Sequence, residues 1–184
     1  MSIFITSDLH LGHNKSFIYK ARGFETVEEM NTEIIRRWNS VVGEEDDVFV
    51  LGDLVMGSLE NLRLLEELNG RIHIVRGNHD TDNRWEHYKA IENVVEMENS
   101  IYLKYGKYRF YLSHYPAFTG EFGLKPLKSC LINLCGHTHT TDKGADYERG
   151  IVYHCEVDAH DCAPVSIEKI IEDLEWQQLN GGLS

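Results

Sequence analysis

Four short apolar runs in this chain end at polar side chains, which predicts strands that carry polar groups to one edge of a sheet. The runs and their polar groups are residues 3–5 before Asp8 and His10, 48–51 before Asp53, 72–75 before Asn78, His79 and Asp80, and 131–134 before His137 and His139. Runs of this length are typical of buried strands. Because open α/β sheets bind ligands at the carboxyl ends of their strands, the polar groups predict a site there.

Amphipathic segments separate the first three strands. Thr26 and Glu29 have capping-box spacing, and apolar residues then recur every three or four positions, which predicts a helix over 26–41. Ser58 precedes a leucine-rich segment that ends at Asn69 and Gly70, which indicates a second helix. This β-α-β-α-β order predicts parallel pairing with right-handed crossovers.

The pattern changes after residue 80. It predicts a short helix at 84–91, strands at 100–105, 108–113, 130–135 and 151–157, and a last helix that Ser166 caps. These strands suffice for a second sheet. We therefore expect an α/β fold in which two mixed β-sheets pack as a sandwich with flanking helices, in a single domain over 1–184.

Composition narrows the function classes. The 184 residues are 42% hydrophobic and contain neither a run of the roughly 20 apolar residues that span a bilayer nor an N-terminal leader, so we expect a cytoplasmic protein without membrane contact. The four cysteines form no C-x-x-C pair, which favours reduced core thiols. A net charge of −12 argues against a broad nucleic-acid interface. Bound divalent cations would nevertheless create a locally positive pocket for phosphate.

The strand-end side chains together indicate a metal site. A lone histidine or Gly-Asp turn is usually structural, but this chain combines five such features in order: Asp8-x-His10, Gly52-Asp53, Gly77 to Asp80, a strand-end His114, and Gly136-His137-x-His139. Two divalent cations about 3.5–4 Å apart need a shared anionic ligand and several further oxygen or nitrogen donors. Mixed carboxylate, imidazole and amide donors suit Mn, Fe or Zn better than Ca.

These ordered motifs, D-x-H, G-D, G-N-H-[DE], H and G-H-x-H, make the chain resemble the calcineurin-like metallophosphoesterase superfamily, in particular a small uncapped bacterial and phage branch. The resemblance implies the two-sheet sandwich fold and two divalent metal ions. Manganese is the first choice, with Fe, Zn, Ni or Mg as alternatives. The implied ligands are Asp8, His10 and His139 for one metal and Asn78, His114 and His137 for the other, with Asp53 bridging.

The resemblance also assigns catalytic roles. His79 is expected to lie outside the metal shell and to protonate the leaving oxygen or hold the phosphoryl oxygens, and Asp80 is expected to orient it. The expected reaction is hydrolysis of a small phosphate ester or nucleotide by a metal-bound hydroxide. A phosphodiester is favoured because the chain has little room for a cap. The alternatives are a phosphomonoesterase, a nuclease and a non-catalytic scaffold of the same fold; the oligomeric state is open.

Several polar groups near the motifs remain ambiguous. His13 and Asn14 follow the first motif and are candidates for substrate contacts. Asp158 and His160 are candidates for support of the metal ligands or for structural roles.

Three basic side chains near the motifs, Arg22, Lys125 and Lys128, are candidates for binding a second phosphate or a carboxylate, but we expect them to be solvated. Tyr115 and Pro116 are expected to line the mouth of the site.

Overall fold

The computed structural model of the protein describes residues 1–119, 126–143 and 150–180. Its strands are β1 (Ile3–Thr6), β2 (Asp47–Val50), β3 (Arg71–Val75), β4 (Val94–Glu98), β5 (Ile101–Tyr105), β6 (Tyr108–Leu112), β7 (Leu131–Cys135), β8 (Val152–His154) and β9 (Val165–Ser166). Its α-helices are α1 (Ser16–Tyr19), α2 (Val27–Val41), α3 (Asp82–Tyr88) and α4 (Ile167–Asn180). Short 3₁₀ helices cover Leu59–Glu67, Leu127–Ser129 and Val157–Ala159.

Two mixed sheets form in the described part of the chain. The first has the strand order β4-β3-β2-β1-β9, with parallel pairing except between β1 and β9. The second has the order β5-β6-β7-β8, in which only the β5–β6 hairpin is antiparallel. An isolated parallel bridge from Ser7 to Glu156 joins the segments that follow β1 and β8. The carboxyl ends of the two sheets therefore meet.

Alternating residues of the central strands build two cores. On β2, Val48 and Val50 pack with the buried face of α2, which includes Ile34 and Trp38. The residues between them on the strand point to the opposite side, because side chains alternate along a strand. Phe49 accordingly belongs to the second cluster, with Phe110, Leu112, Ile132 and Leu134 of the other sheet and with Ile167, Ile170 and Leu174 of α4. The predicted α/β sandwich with flanking helices is confirmed.

The structure corrects several boundaries. The segment after Ser58 is a 3₁₀ helix rather than an α-helix, and its leucines at every third position match the period of three residues per turn. β4 was not predicted: its burial pattern does not alternate regularly, and its register with β3 shifts after Ile72. The strand predicted over 151–157 ends at His154, because the chain turns into a 3₁₀ helix at Val157.

Two predictions from composition can be compared with the structure. All four cysteines are buried, and no disulfide forms among the described residues, as expected for core thiols. No described helix is both long enough and apolar enough to cross a membrane. The single domain over 1–184 stays a prediction.

Candidate metal centre

The candidate site lies where strands of both sheets end. β1, β2 and β3 deliver Asp8, Asp53 and Asn78, and β6 and β7 deliver His114 and His137. Hydrogen bonds join the two halves: the His137 amide donates to Asp8 Oδ2 at 2.8 Å, and a His114 ring nitrogen lies 2.7 Å from Asn78 Oδ1. All seven predicted ligands take part in contacts within this centre.

Asp8, His10 and His139 form the first group of ligand atoms. One atom from each lies within 4.8 Å of the other two, and Asp8 Oδ1 is 3.7 Å from the Nε2 atoms of both histidines. Asp8 Oδ1 and His10 Nε2 are buried and have no hydrogen-bond partner. Buried polar atoms without partners are costly in proteins. A divalent cation among them would satisfy these atoms.

Asp8, Asp53 and His114 form a second group within the same distance. Asp53 Oδ2 is 3.6 Å from His114 Nε2 and 3.7 Å from His10 Nε2, so this oxygen faces both groups. The other Asp53 oxygen accepts a hydrogen bond from the His79 amide at 2.8 Å. Asn78 Oδ1 adds an oxygen beside His114 and lies 2.9 Å from His137 Nδ1. Both Asp8 and Asp53 are thus placed between the groups.

The pKa shifts of Asp8 and His10 favour the protonation states that bind a metal cation. Burial would raise the pKa of Asp8, but hydrogen bonding with His10, Ser7 and the His137 amide lowers it below the ordinary value. Burial lowers the pKa of His10. An ionised carboxylate and a neutral imidazole are the forms that bind metals, so the shifts at Asp8 and His10 fit a divalent cation. The hydrogen bond with Asp158 instead raises the pKa of His139.

In His10, His114 and His139, the second ring nitrogen is fixed by another group. His114 Nδ1 lies 2.8 Å from the Leu51 carbonyl, and His139 Nδ1 lies 3.0 Å from Asp158 Oδ2. His10 Nδ1 lies 3.1 Å from His13 Nδ1. Such contacts leave Nε2 directed at the centre, which is the usual arrangement around metal-binding histidines.

The backbone is unusual at most of the predicted ligands. Five of the seven have a positive φ between 49° and 76°: Asp8, His10, Asp53, His137 and His139. Non-glycine residues rarely adopt this left-handed conformation, and such residues cluster at functional sites. The strain supports a functional role for these strand ends.

Two motif glycines are required by close approach. A Cβ atom on Gly136 would overlap the Ser7 hydroxyl and the Asp8 carboxylate, and one on Gly77 would overlap Asp53. Any side chain there would separate the strand ends that bring the donors together. The glycines of these motifs therefore act by leaving space.

Asp80 contacts the backbone beside the site, and its role in orienting His79 stays a prediction. Asp80 is buried, and its Oδ2 accepts hydrogen bonds from the amides of Asp53 at 2.9 Å and Gly77 at 2.8 Å. Its Oδ1 accepts the Tyr88 hydroxyl at 2.9 Å. Asp80 thus braces the Asp53 loop. His79 is exposed, with its ring centroid 5.6 Å from that of His10.

The remaining sequence candidates separate into groups. The His13 ring stacks on His10, and burial, followed by the nearby His10 and His79, lowers the pKa of His13 from 6.5 to about 4. Asn14 is exposed, and its substrate contact stays a prediction, as does that of His13. His160 is buried, and its Nε2 lies 2.9 Å from the His154 carbonyl. Lys128 is exposed as expected, and Lys125 lies outside the described residues.

Arg22 is not solvated, contrary to expectation, because its side chain is only 2% exposed and pairs with Asp158. Two further residues near the centre are not predicted from the sequence. The buried carboxylate of Glu156 accepts the Thr138 hydroxyl at 2.7 Å between the last two histidines. Arg84 donates to the His79 carbonyl at 2.9 Å. No local pattern marks these residues, since each acts through a contact distant in sequence or through backbone.

Comparisons with known proteins agree with this geometry. Residues 1–154 match the model of the calcineurin-like phosphoesterase superfamily domain. The chain is 38% identical over 117 residues to an uncharacterized protein of Methanocaldococcus jannaschii, which covers 62% of this chain but only 58% of that protein. It is 27% identical over 198 residues to the Gene 66 protein of Mycobacterium phage D29, covering 95% and 98% of the two chains.

A solved structure of a protein of unknown function from Aquifex aeolicus is also similar. It superimposes with a TM-score of 0.71 at 25% identity and covers 94% of this chain and 98% of its own. The family model matches most of the chain, and the matched residues carry the whole set of strand-end donors. The protein therefore belongs to the calcineurin-like phosphoesterase superfamily.

Proposed function

We propose that this protein is a dinuclear-metal-dependent phosphoesterase that hydrolyses phosphodiesters. The observation that carries the proposal is the convergence of Asp8 Oδ1 and His10 Nε2, both buried without partners, with donor atoms of Asp53, His114 and His139. The proposed ligands are Asp8, His10 and His139 for one cation and Asn78, His114 and His137 for the other, with Asp53 between them. Manganese is the proposed metal.

The two cations would supply an activated water and offset negative charge on the phosphoryl oxygens. The protein's own groups perform the remaining steps. His79 is held through its main chain, because its amide donates to Asp53 and its carbonyl accepts from Arg84. Its exposed ring is therefore free to face a bound ester, where it donates a proton to the leaving oxygen.

An open site favours a diester over a monoester. Asn78, His79 and His137 are exposed at the rim of the centre, and no capping element covers them among the described residues. A diester needs room for a substituent on each side of phosphorus. The accessible rim supplies this room, whereas an enclosed pocket would favour a terminal phosphate.

Two exposed aromatic rings next to histidines of the centre favour a substrate that carries a ring. Tyr115 is 52% exposed and packs against His114 and His137, with ring centroids 5.1 and 4.6 Å away. Phe17 is 70% exposed and contacts His13. Aromatic side chains stack with nucleobases, so a nucleotide is a candidate substrate. The net charge of −12 disfavours nucleic acid as the substrate.

The proposal is tested by metal analysis of the purified protein together with assays of matched aryl phosphate diesters and monoesters. We expect two divalent ions per chain, loss of hydrolysis after exhaustive chelation, and recovery with Mn in a series that also includes Ni, Zn and Mg. Undiminished turnover in metal-free protein would refute the mechanism. A faster monoester reaction would identify a phosphomonoesterase, and metal binding without turnover would identify a scaffold. Cytoplasmic location stays a prediction.

A further inference from the structure

Arg22 is a buried cation that reaches the backbone of the first metal-binding loop. Its side chain is 2% exposed, and its two terminal nitrogens donate to the carbonyls of Leu9 at 2.9 Å and Asp8 at 2.7 Å. These carbonyls lie within the Asp8-x-His10 motif, where both motif residues have positive φ. Arg22 therefore holds the strained loop that presents two donors of the first group.

The same guanidinium is paired with Asp158 in a forked arrangement. Nε lies 2.9 Å from Asp158 Oδ1, and Nη2 lies 3.0 Å from Oδ2. Asp158 is itself mostly buried, with 12% of its side chain exposed. A bidentate pair of this kind fixes both the position and the plane of the carboxylate.

The fixed Asp158 carboxylate in turn orients His139, a candidate metal ligand. Its Oδ2 lies 3.0 Å from His139 Nδ1, and His139 Nε2 lies 3.7 Å from Asp8 Oδ1 on the other side of the ring. A carboxylate on the far nitrogen sets the tautomer and direction of a metal-binding imidazole and raises its basicity. Arg22 and Asp158 thus connect Asp8 with His139 through groups that are not ligands.

The contact between Asp158 and His139 reaches a ligand of only one of the two proposed metal positions, because His139 belongs to the first group alone, whereas Asp8 takes part in both. At the other, His114 is oriented by the Leu51 carbonyl, and Asn78 lies beside His114 and His137. In the described part of the chain, the hydrogen bonds of Arg22 and Asp158 do not involve Asn78, His114 or His137. Asp158 also lies beyond residues 1–154, which the family model matches.

A purely structural role explains this pair poorly. Burying two charges costs free energy that their attraction often fails to offset, so buried ion pairs are weak contributors to stability. Beyond the ion pair itself, Arg22 donates to the backbone of the Asp8–His10 loop, and Asp158 Oδ2 contacts the His139 imidazole.

We propose that Arg22 and Asp158 are positioning residues that build the Asp8/His10/His139 metal position selectively, so that breaking the pair weakens one of the two bound cations and spares the other. This inference rests on the proposed two-metal site. Both residues lie outside the five strand-end motifs, and Asp158 belongs to the segment that follows β8.

The test measures Mn binding to the full chain by titration against a competing chelator, with electron paramagnetic resonance of the bound ions as a second readout. Asp158→Asn keeps the size of the side chain but removes the negative charge that contacts both Arg22 and His139. Asp161→Asn is the matched control, because this exposed carboxylate lies three residues away and makes the same chemical change. We expect Asp158→Asn to bind one Mn about 10- to 100-fold more weakly. The second Mn should bind as in the parent, and the signal of coupled ions should give way to that of a single ion.

The inference is overturned if Asp158→Asn binds both ions as tightly as the parent, or weakens both equally. A lower melting temperature of the metal-free variant without a change in Mn affinity would identify a structural pair and also overturn it. If Asp158→Asn does not fold, Arg22→Lys takes its place, because lysine keeps the charge but lacks the fork that reaches both Asp8 and Asp158. If the parent protein is active with two ions bound but Asp158→Asn does not behave as expected, the proposed function stands and only this inference is overturned. If the parent binds no divalent cation, both the proposed function and this inference are overturned.

Discussion

Replacing His79 with alanine should separate proton transfer from metal binding. The structure supports this separation, because the His79 amide contacts Asp53 while its exposed ring lies 5.6 Å from the His10 ring, centroid to centroid. The amide that donates to Asp53 and the carbonyl that accepts from Arg84 both remain in His79→Ala. The Asp53 carboxylate should therefore keep its position, and both metal ions should stay bound.

The magnitude follows from the role of the ring. A positioned general acid contributes typically about 10²–10⁴-fold to the rate, which corresponds to roughly 2.7–5.4 kcal/mol in the activation free energy. We expect a loss of this size in kcat for an alkyl diester, whose leaving oxygen must be protonated. An aryl diester with a good leaving group should lose much less, because its leaving oxygen needs little protonation.

The assay compares kcat for the two diesters and counts metal ions per chain by elemental analysis. His87→Ala serves as the control, because His87 is exposed on α3 and its Nδ1 lies 2.7 Å from the Asn83 carbonyl of the same helix. A His79→Ala protein that binds one ion fewer than the parent would show that the ring is a ligand. Full activity on the alkyl diester would assign the general acid to another residue.

Two further predictions test the bridge and the rim. Asp53→Asn should lower metal occupancy and activity more than Asp161→Asn does, because Asp53 Oδ2 faces both donor groups. Equal metal content in the two variants would show that another residue bridges the metals. Tyr115→Ala should raise KM for a nucleotide diester by roughly 5- to 150-fold, the equivalent of about 1–3 kcal/mol of stacking, with little change for a dialkyl ester. Tyr102→Ala, which removes an exposed ring from β5, is the control, and an unchanged KM in Tyr115→Ala would remove the ring-bearing substrate from consideration.

The sequence predicted the central strands and most of the candidate donors because both are local signals. An apolar run that stops at a polar group marks the end of a buried strand, and this pattern holds at β1, β2, β3 and β7. The edge strand β4 lacks such a signal, since its residues are at most half-buried and its pairing is irregular. Local patterns therefore specify the middle of a sheet better than its edge.

The groups that support the donors could not be predicted from spacing. Arg22 and Asp158 are 136 residues apart, and a charged side chain in a loop is ordinarily solvated. The resemblance to the family names Asp80 as the residue that orients His79, but the sequence does not show that its carboxylate binds the backbone amides of Asp53 and Gly77. The sequence shows which residues can donate to a metal. It does not show which residues support them, because those contacts form only when distant loops pack together.

The left-handed backbone at the strand ends explains why such partners are needed. Residues in strained conformations cost of the order of 1–3 kcal/mol each and persist only where surrounding contacts hold them. The supporting groups bind the backbone of these strained loops: Arg22 binds the Asp8 carbonyl, Asp80 binds the Asp53 amide, and Glu156 binds the turn between the last two histidines. Changes at Arg22 or Asp80 should therefore act first on metal affinity, because relaxation of a loop turns its donor away from the centre. A change at the His79 ring leaves these loops held and acts on the chemical step alone.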